Sequence, residues 1–268
     1  MKKIYGWLVI GVFGLMLLFV TLPSFLFVVI LSLLFGETRS AQRKNVSYLC
    51  QFWGVGFWEF MKLFLRMRVE FDGDTVVPKT PYIVISNHRT ALDHVFVSIA
   101  ASRVGIYDIR WVLKRAMLRA PVIGWAHWFI GSAFLSRSHD PEDFDRLHRT
   151  AELVEEQDAS VMIYPEGTRF KGVPAPNARF SRVLEFKLPG FKQFVTDLPN
   201  HRVLSLTLDW GRFEHGITFT HVGEFVGRTV RVCVRDKGVT TPDQAQDLLN
   251  ECWIDHERYL RQGQDSLA

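Results

Sequence analysis

The chain has 268 residues, 48% of them hydrophobic, with a net charge of +4 and three cysteines. That length suits one large domain plus an appendage, and the charge is too mild to mark a nucleic-acid binder, for which no motif is present either. Cys50, Cys233 and Cys252 lie far apart and fit neither a metal site nor a disulfide framework.

The first informative stretch is 7–35, which carries no charged residue. As one helix it would reach about 43 Å, more than the ~30 Å hydrocarbon layer of a bilayer. Pro23-Ser24 lies near its middle, so two forms fit: one tilted, kinked membrane helix, or a hairpin that enters and leaves on one side. Lys2 and Lys3 precede it, and Arg39, Arg43 and Lys44 follow. Positive charge at both ends favours the hairpin, with both flanks on the cytoplasmic side. Residues 48–65 follow as an aromatic stretch interrupted by Glu59 and Lys62. Trp53, Phe57, Phe60 and Phe64 recur at three- and four-residue steps, which predicts an amphipathic helix, at the membrane surface or in the core. Residues 1–68 thus read as an anchor and 69–268 as the globular domain.

From Val69 onward, strand-like runs alternate with helical ones, the pattern of an α/β domain with a mixed central sheet flanked by helices. The expected strands are 82–86, 110–113, 133–135, 161–164, 203–210 and 229–235. Between the third and fourth, Pro141, Glu142 and Asp143 suit the start of a helix whose apolar face is Phe144, Leu147, Ala151 and Val154. A last helix is expected to start at Thr241 with Pro242 behind it. Ala245, Leu248, Leu249, Cys252 and Leu260 form its stripe.

Chemistry enters at SNHRTALD, residues 86–93, directly after the first of these strands. His88 and Asp93 are five residues apart, a poor spacing on one helix. Thr90 with Asp93 three positions on forms a capping-box pattern, which places Asp93 in the first helical turn and His88 in the loop before it. A loop folding back there sets the carboxylate against the imidazole. The carboxylate then holds one tautomer and steadies the imidazolium, so that His88 acts as a base toward a hydroxyl about 3 Å away.

Three further blocks follow in fixed order. Lys114, Pro121-Val122-Ile123-Gly124-Trp125 and the run from Gly131 to Arg137 form one. Tyr164-Pro165-Glu166-Gly167-Thr168-Arg169-Phe170 forms the next, and Lys187-Leu188-Pro189-Gly190-Phe191 the last. This series resembles the glycerolipid acyltransferases, the lysophosphatidic acid acyltransferase family, over roughly 82–210. The resemblance implies direct acyl transfer from a thioester, acyl-CoA or acyl carrier protein, to a lysophospholipid hydroxyl, with no metal, cofactor or acyl-enzyme. His88 is then the base and Asp93 its partner. Lys114, Arg137, Glu166, Gly167, Thr168 and Arg169 bind substrate, with Glu166 holding Arg137 or Arg169 or bonding a glycerol hydroxyl. It further implies a protein of the inner cell membrane whose active face meets the cytoplasm. Two positions depart from the family pattern. Lys187 is the nearest cation where many members carry a Pro-Arg pair, and His94 replaces a large apolar residue.

Other classes fit less well. A serine hydrolase lacks its G-x-S-x-G elbow here. A metal site built on His88, Asp93 and His94 lacks a second ligand cluster. A non-catalytic membrane binder leaves the His-Asp spacing without a purpose.

Overall fold

A computed structural model describes residues 2–136, 140–211 and 223–265. The 7–35 stretch is one continuous helical rod, not a hairpin: α1 (Lys2–Met16), a π-helical turn (Leu17–Thr21) and α2 (Leu22–Leu34). Pro23 sits in the first turn of α2, and the wider π turn before it absorbs the missing N–H and the ring's clash with the preceding turn. Thr21 Oγ1 donates to the Met16 carbonyl within that turn (3.4 Å). The chain reverses only at Gly36, whose φ of +64° suits glycine. Only 11% of the most apolar window of Gly6–Leu34 is buried, so this is not the core helix of a globular unit.

Helix α3 (Arg39–Leu65) then runs back, starting well before the expected position 48, with Thr38 accepting a cap bond from Ala41 N–H. It contributes Trp58, Phe60, Met61 and Leu65 to the same core as Phe96 and Trp210. Its buried Gln51 donates to the Ser98 carbonyl (2.6 Å). The other face leaves Phe52 and Leu63 exposed. The stretch is amphipathic as its spacing implies, with one side built into the globular core.

The remaining elements are β1 (Arg68–Gly73), β2 (Tyr82–Ser86), α4 (Asp93–Arg103), β3 (Ile109–Lys114), α5 (Ile123–Ile130), β4 (Ala133–Leu135), α6 (Glu142–Glu156) and β5 (Ser160–Ile163). After them come α7 (Leu188–Asp197), β6 (Arg202–Asp209), β7 (Thr229–Val239) and α8 (Ala245–Asp265). The seven strands lie in the order β1-β7-β6-β2-β5-β3-β4, all neighbours parallel except β6 and β7. This is the expected mixed α/β sheet. All six predicted strands are present within a few residues. The seventh, β1, pairs only with β7 at the sheet's edge and is largely exposed, so it carries little apolar signature.

Alternation along β2 divides the core. Tyr82 and Val84 face α3 and α4, whereas Ile83 and Ile85 face α6, α7 and α8. Helix α6 buries Leu147, Ala151 and Val154 as predicted, but Phe144 is turned outward, 48% exposed. Helix α8 begins at Ala245, four residues after Thr241, because residues 241–244 form a separate turn closed by Gln244 N–H on the Thr241 carbonyl (3.0 Å).

Candidate active site

The order of the sequence blocks becomes a spatial cluster through sheet topology. Strands β2, β3, β5 and β6 run parallel, so the segments leaving their carboxyl ends emerge on one edge. The His88 loop leaves β2, Lys114 ends β3, the Tyr164–Arg169 turn leaves β5 and Trp210 follows β6. Such an edge is where open α/β sheets bind ligands.

The His88 loop folds back as its capping pattern implies. Thr90 N–H donates to Asp93 Oδ2 (2.9 Å), Thr90 Oγ1 donates to Asp93 Oδ1 (3.0 Å), and Leu92 N–H donates to Thr90 Oγ1 (3.0 Å). The helix proper starts at Asp93 with Leu92 as its N-cap and no side-chain cap bond, so Thr90 is not the expected cap and instead closes the turn before the helix. His88 Nδ1 lies 2.8 Å from Asp93 Oδ2, with the imidazole 17% exposed and the carboxylate fully buried. Arg89 N–H adds a bond to Oδ2 (2.5 Å), and the Trp210 indole N–H donates to Oδ1 (2.8 Å). A buried carboxylate held by this many donors stays fixed in one orientation.

Trp210 was not legible as a site residue, because it lies 117 positions away and reads only as the end of an apolar strand. Asn87 is similar. Its side-chain amide donates to the Leu208 carbonyl (3.0 Å) and its Oδ1 accepts from Leu208 N–H (2.8 Å), stitching the loop to β6.

The 164–170 turn forms the second wall. The Tyr164 ring stacks on His88 with centroids 4.2 Å apart and planes 17° from parallel. The Tyr164 hydroxyl is buried without a hydrogen-bond partner among the described residues, and that burial, with Asp93 nearby, drives its pKa well above the usual phenol range. Phe170 N–H donates to the His88 carbonyl (2.8 Å), and the Arg89 guanidinium lies 5.0 Å over the Phe170 ring.

Of the partners expected for Glu166, Arg169 makes no ion pair with it, and Arg137 lies outside the described residues. Glu166 is 1% exposed and holds no cation by an ion pair among the described residues. Its Oε1 accepts instead from His88 N–H (3.2 Å), with a further backbone bond from Leu184. Oε2 is buried without a partner among the described residues. Burial is the dominant effect on this group and raises its pKa well above the carboxylate range, toward a neutral acid. The reason is local: Gly167 takes φ +69° and Gly167 N–H closes onto the Tyr164 carbonyl (2.9 Å), which turns residue 166 into the protein and 168 outward.

Thr168 and Arg169 are exposed on that turn, and Lys114 is exposed at the end of β3. Lys187 closes the cluster. Its N–H bonds the Pro165 carbonyl (2.8 Å), and a Cβ placed at Gly167 would stand 3.5 Å from its Nζ. The ammonium therefore lies over the glycine of the turn. Arg137 falls outside the described residues. His94 does not join His88. Its ring stacks on Trp111 (centroids 3.7 Å) and meets His127 edge-on, and burial lowers its pKa to about 4.

The chain is 33% identical to the 1-acyl-sn-glycerol-3-phosphate acyltransferase of Saccharomyces cerevisiae over 113 residues, 42% of this chain and 36% of that protein. It is 31% identical to 1-acyl-sn-glycerol-3-phosphate acyltransferase alpha of Homo sapiens over 111 residues, 41% of this chain and 38% of that one. The chain thus spans little more than a third of the length of these relatives. The crystal structure of the 1-acyl-sn-glycerophosphate (LPA) acyltransferase PlsC from Thermotoga maritima superposes with a TM-score of 0.67 over 97% of this chain and 98% of that one. At 18% identity that likeness establishes the shared fold. The sequence model described as Acyltransferase matches residues 68–207, just over half of the chain, and includes His88, Asp93, Lys114, Tyr164, Glu166 to Arg169 and Lys187, with Trp210 three residues beyond it. The chain belongs to the Acyltransferase family.

Proposed function

We propose that the chain moves a fatty acyl group from an acyl thioester, acyl-CoA or acyl carrier protein, to the free hydroxyl of a lysophospholipid. The favoured acceptor is 1-acyl-sn-glycerol-3-phosphate, giving phosphatidic acid. The observation that carries this reading is the His88–Asp93 contact of 2.8 Å at the carboxyl edge of the sheet, in a chain whose relatives bear that activity in their names.

Asp93 holds Nδ1, which leaves Nε2 to take the proton of the acceptor hydroxyl. The oxygen attacks the thioester carbonyl. The C–O bond forms, the C–S bond breaks as the tetrahedral intermediate collapses, and His88 gives its proton to the departing sulfur, so that a thiol leaves and the imidazole is neutral again. The stacked Tyr164 ring favours the imidazolium formed midway through its π-face. Glu166 acts from beneath, holding the His88 loop by its backbone. Gly167 lets that turn form, and we assign Lys114, Arg137, Thr168, Arg169 and Lys187 to the acceptor phosphate and the thioester. No cofactor or nucleic acid takes part.

Gly6–Leu34 holds the chain in the inner cell membrane, with the sheet's active edge facing the cytoplasm, where acyl thioesters are made. The long and largely unburied apolar rod supports this. The anchor, residues 1–68, and the catalytic domain, 69–268, share α3 as their common wall. The test is mass spectrometry of lipids formed when the purified protein meets acyl-CoA or acyl carrier protein thioesters and a panel of lysolipids. Phosphatidic acid formed from lysophosphatidate by the parent, and not by His88→Ala, is expected. Equal product from both proteins refutes the mechanism, and exclusive use of another lysolipid refutes the head group.

A further inference from the structure

Helix α5 presents an apolar face that the chemistry above does not use. Trp125 is 48% exposed and Trp128 65%, with Met117 exposed on the 3-10 turn Arg115–Arg119 that leads into the helix. Large aromatic side chains left open on neighbouring helical positions are costly in water and mark a surface that something covers. Trp125 and Trp128, with Leu118, Phe129 and Phe25, line a groove of about 380 Å³.

What covers it follows from Phe25, which belongs to α2. Its ring meets Phe129 of α5 edge-on at 6.0 Å, and Phe25, Ala126 and Ile130 bury one another beside Val46 of α3. Helix α5 is therefore fastened to the apolar rod at a fixed height. After Phe25 in sequence, the rod leaves Leu26, Phe27, Ile30, Leu33 and Leu34 open. Phe25 thus belongs both to the groove and to the helix whose following residues are bare.

Charge points the same way. From Lys114 to Ile130 the sequence carries Lys114, Arg115 and Arg119 and no acidic residue, and all three cations are exposed. Arg39, at the start of α3, lies 4.3 Å over the Phe129 ring. A short helix with tryptophans on its open face and cations at its rim fits the boundary of an anionic leaflet, indoles among the head groups and cations on the phosphates. A soluble partner would need to cover α2 as well.

We propose that α5 and the turn before it form a second membrane contact, in which Trp125 and Trp128 enter the leaflet that receives α2. The inference rests on the membrane reading of Gly6–Leu34. Its consequence is that the globular domain lies against the bilayer and does not swing free on α3.

Spin labels decide it. Phe27→Cys, Trp125→Cys, Trp128→Cys and Phe144→Cys are each made in a chain whose Cys50, Cys233 and Cys252 are alanine. Each is reconstituted in vesicles of phosphatidylcholine and phosphatidylglycerol. Oxygen concentrates in hydrocarbon and a nickel chelate in water, so their relative collision rates report depth. Labels at 27, 125 and 128 are expected to favour oxygen several-fold over the label at 144, with 125 and 128 shallower than 27. If 27 lies in hydrocarbon while 125 and 128 match 144, the second contact does not exist. If 27 also matches 144, the membrane reading fails and this inference fails with it.

Discussion

Replacing Glu166 separates a buried neutral acid from a charged ligand-binding carboxylate. In the structure its Oε1 accepts from His88 N–H at 3.2 Å and it takes a second backbone bond from Leu184, while Oε2 has no partner among the described residues. Glutamine keeps the acceptor oxygen and the shape, so Glu166→Gln should change stability by less than about 1 kcal/mol and leave most of the turnover. Alanine strands two buried donors at about 1–3 kcal/mol each. Glu166→Ala should therefore lose roughly 2–6 kcal/mol, a large part of the ~5–15 kcal/mol that holds a domain together. The same geometry sets a pH dependence. Burial raises the folded pKa of Glu166 above its unfolded value. In the window from the ordinary carboxylate range up to that raised value, the folded state binds the extra proton and stability falls as pH rises. The slope approaches about 1.4 kcal/mol per pH unit for one full proton. Denaturation in detergent micelles at stepped pH reads both effects. The glutamine variant should lack that component of the slope. A glutamine variant as unstable as alanine, or one with the parent's unchanged slope, would refute the neutral-acid reading.

Four other outcomes are expected. His88→Ala should lower acyl transfer by about 10²- to 10⁴-fold while the melting curve stays near that of the parent, as loss of a general base requires. Trp210→Phe keeps the ring and removes one donor to Asp93, worth about 1.5–3 kcal/mol for a charged acceptor, so single-turnover rates should fall roughly ten- to a hundredfold with little change in acceptor KM. Arg169→Lys should raise the KM for lysophosphatidate roughly tenfold, because lysine cannot reproduce a two-bond grip on phosphate, whereas Arg179→Lys should not. Carbonate washing should leave the protein with the membrane fraction, since the contact of Gly6–Leu34 is apolar and indifferent to charge.

The sequence by itself determined the elements whose signals are local. Buried parallel strands such as β2 and β6 need unbroken apolar runs, and these are visible in the chain at 82–86 and 203–210. The Thr90–Asp93 hydrogen bonds are likewise local, so the approach of Asp93 to His88 could be read from spacing, although the cap itself falls at Leu92. Tertiary structure decided the rest. β1 exists because β7 offers it a parallel edge, not because its own residues demand a strand. The rod reverses at Gly36 and not at Pro23, because a π turn accommodates the proline and no local pattern announces it. Glu166 faces inward because the φ +69° turn at Gly167 brings it beneath the His88 loop, 78 residues away in sequence. Trp210 and Asn87 act across separations of 117 and 121 residues. A residue's chemistry and its neighbours along the chain are written in the sequence. The partner that a strand's end will meet across the sheet is set only when strand order places two carboxyl ends side by side.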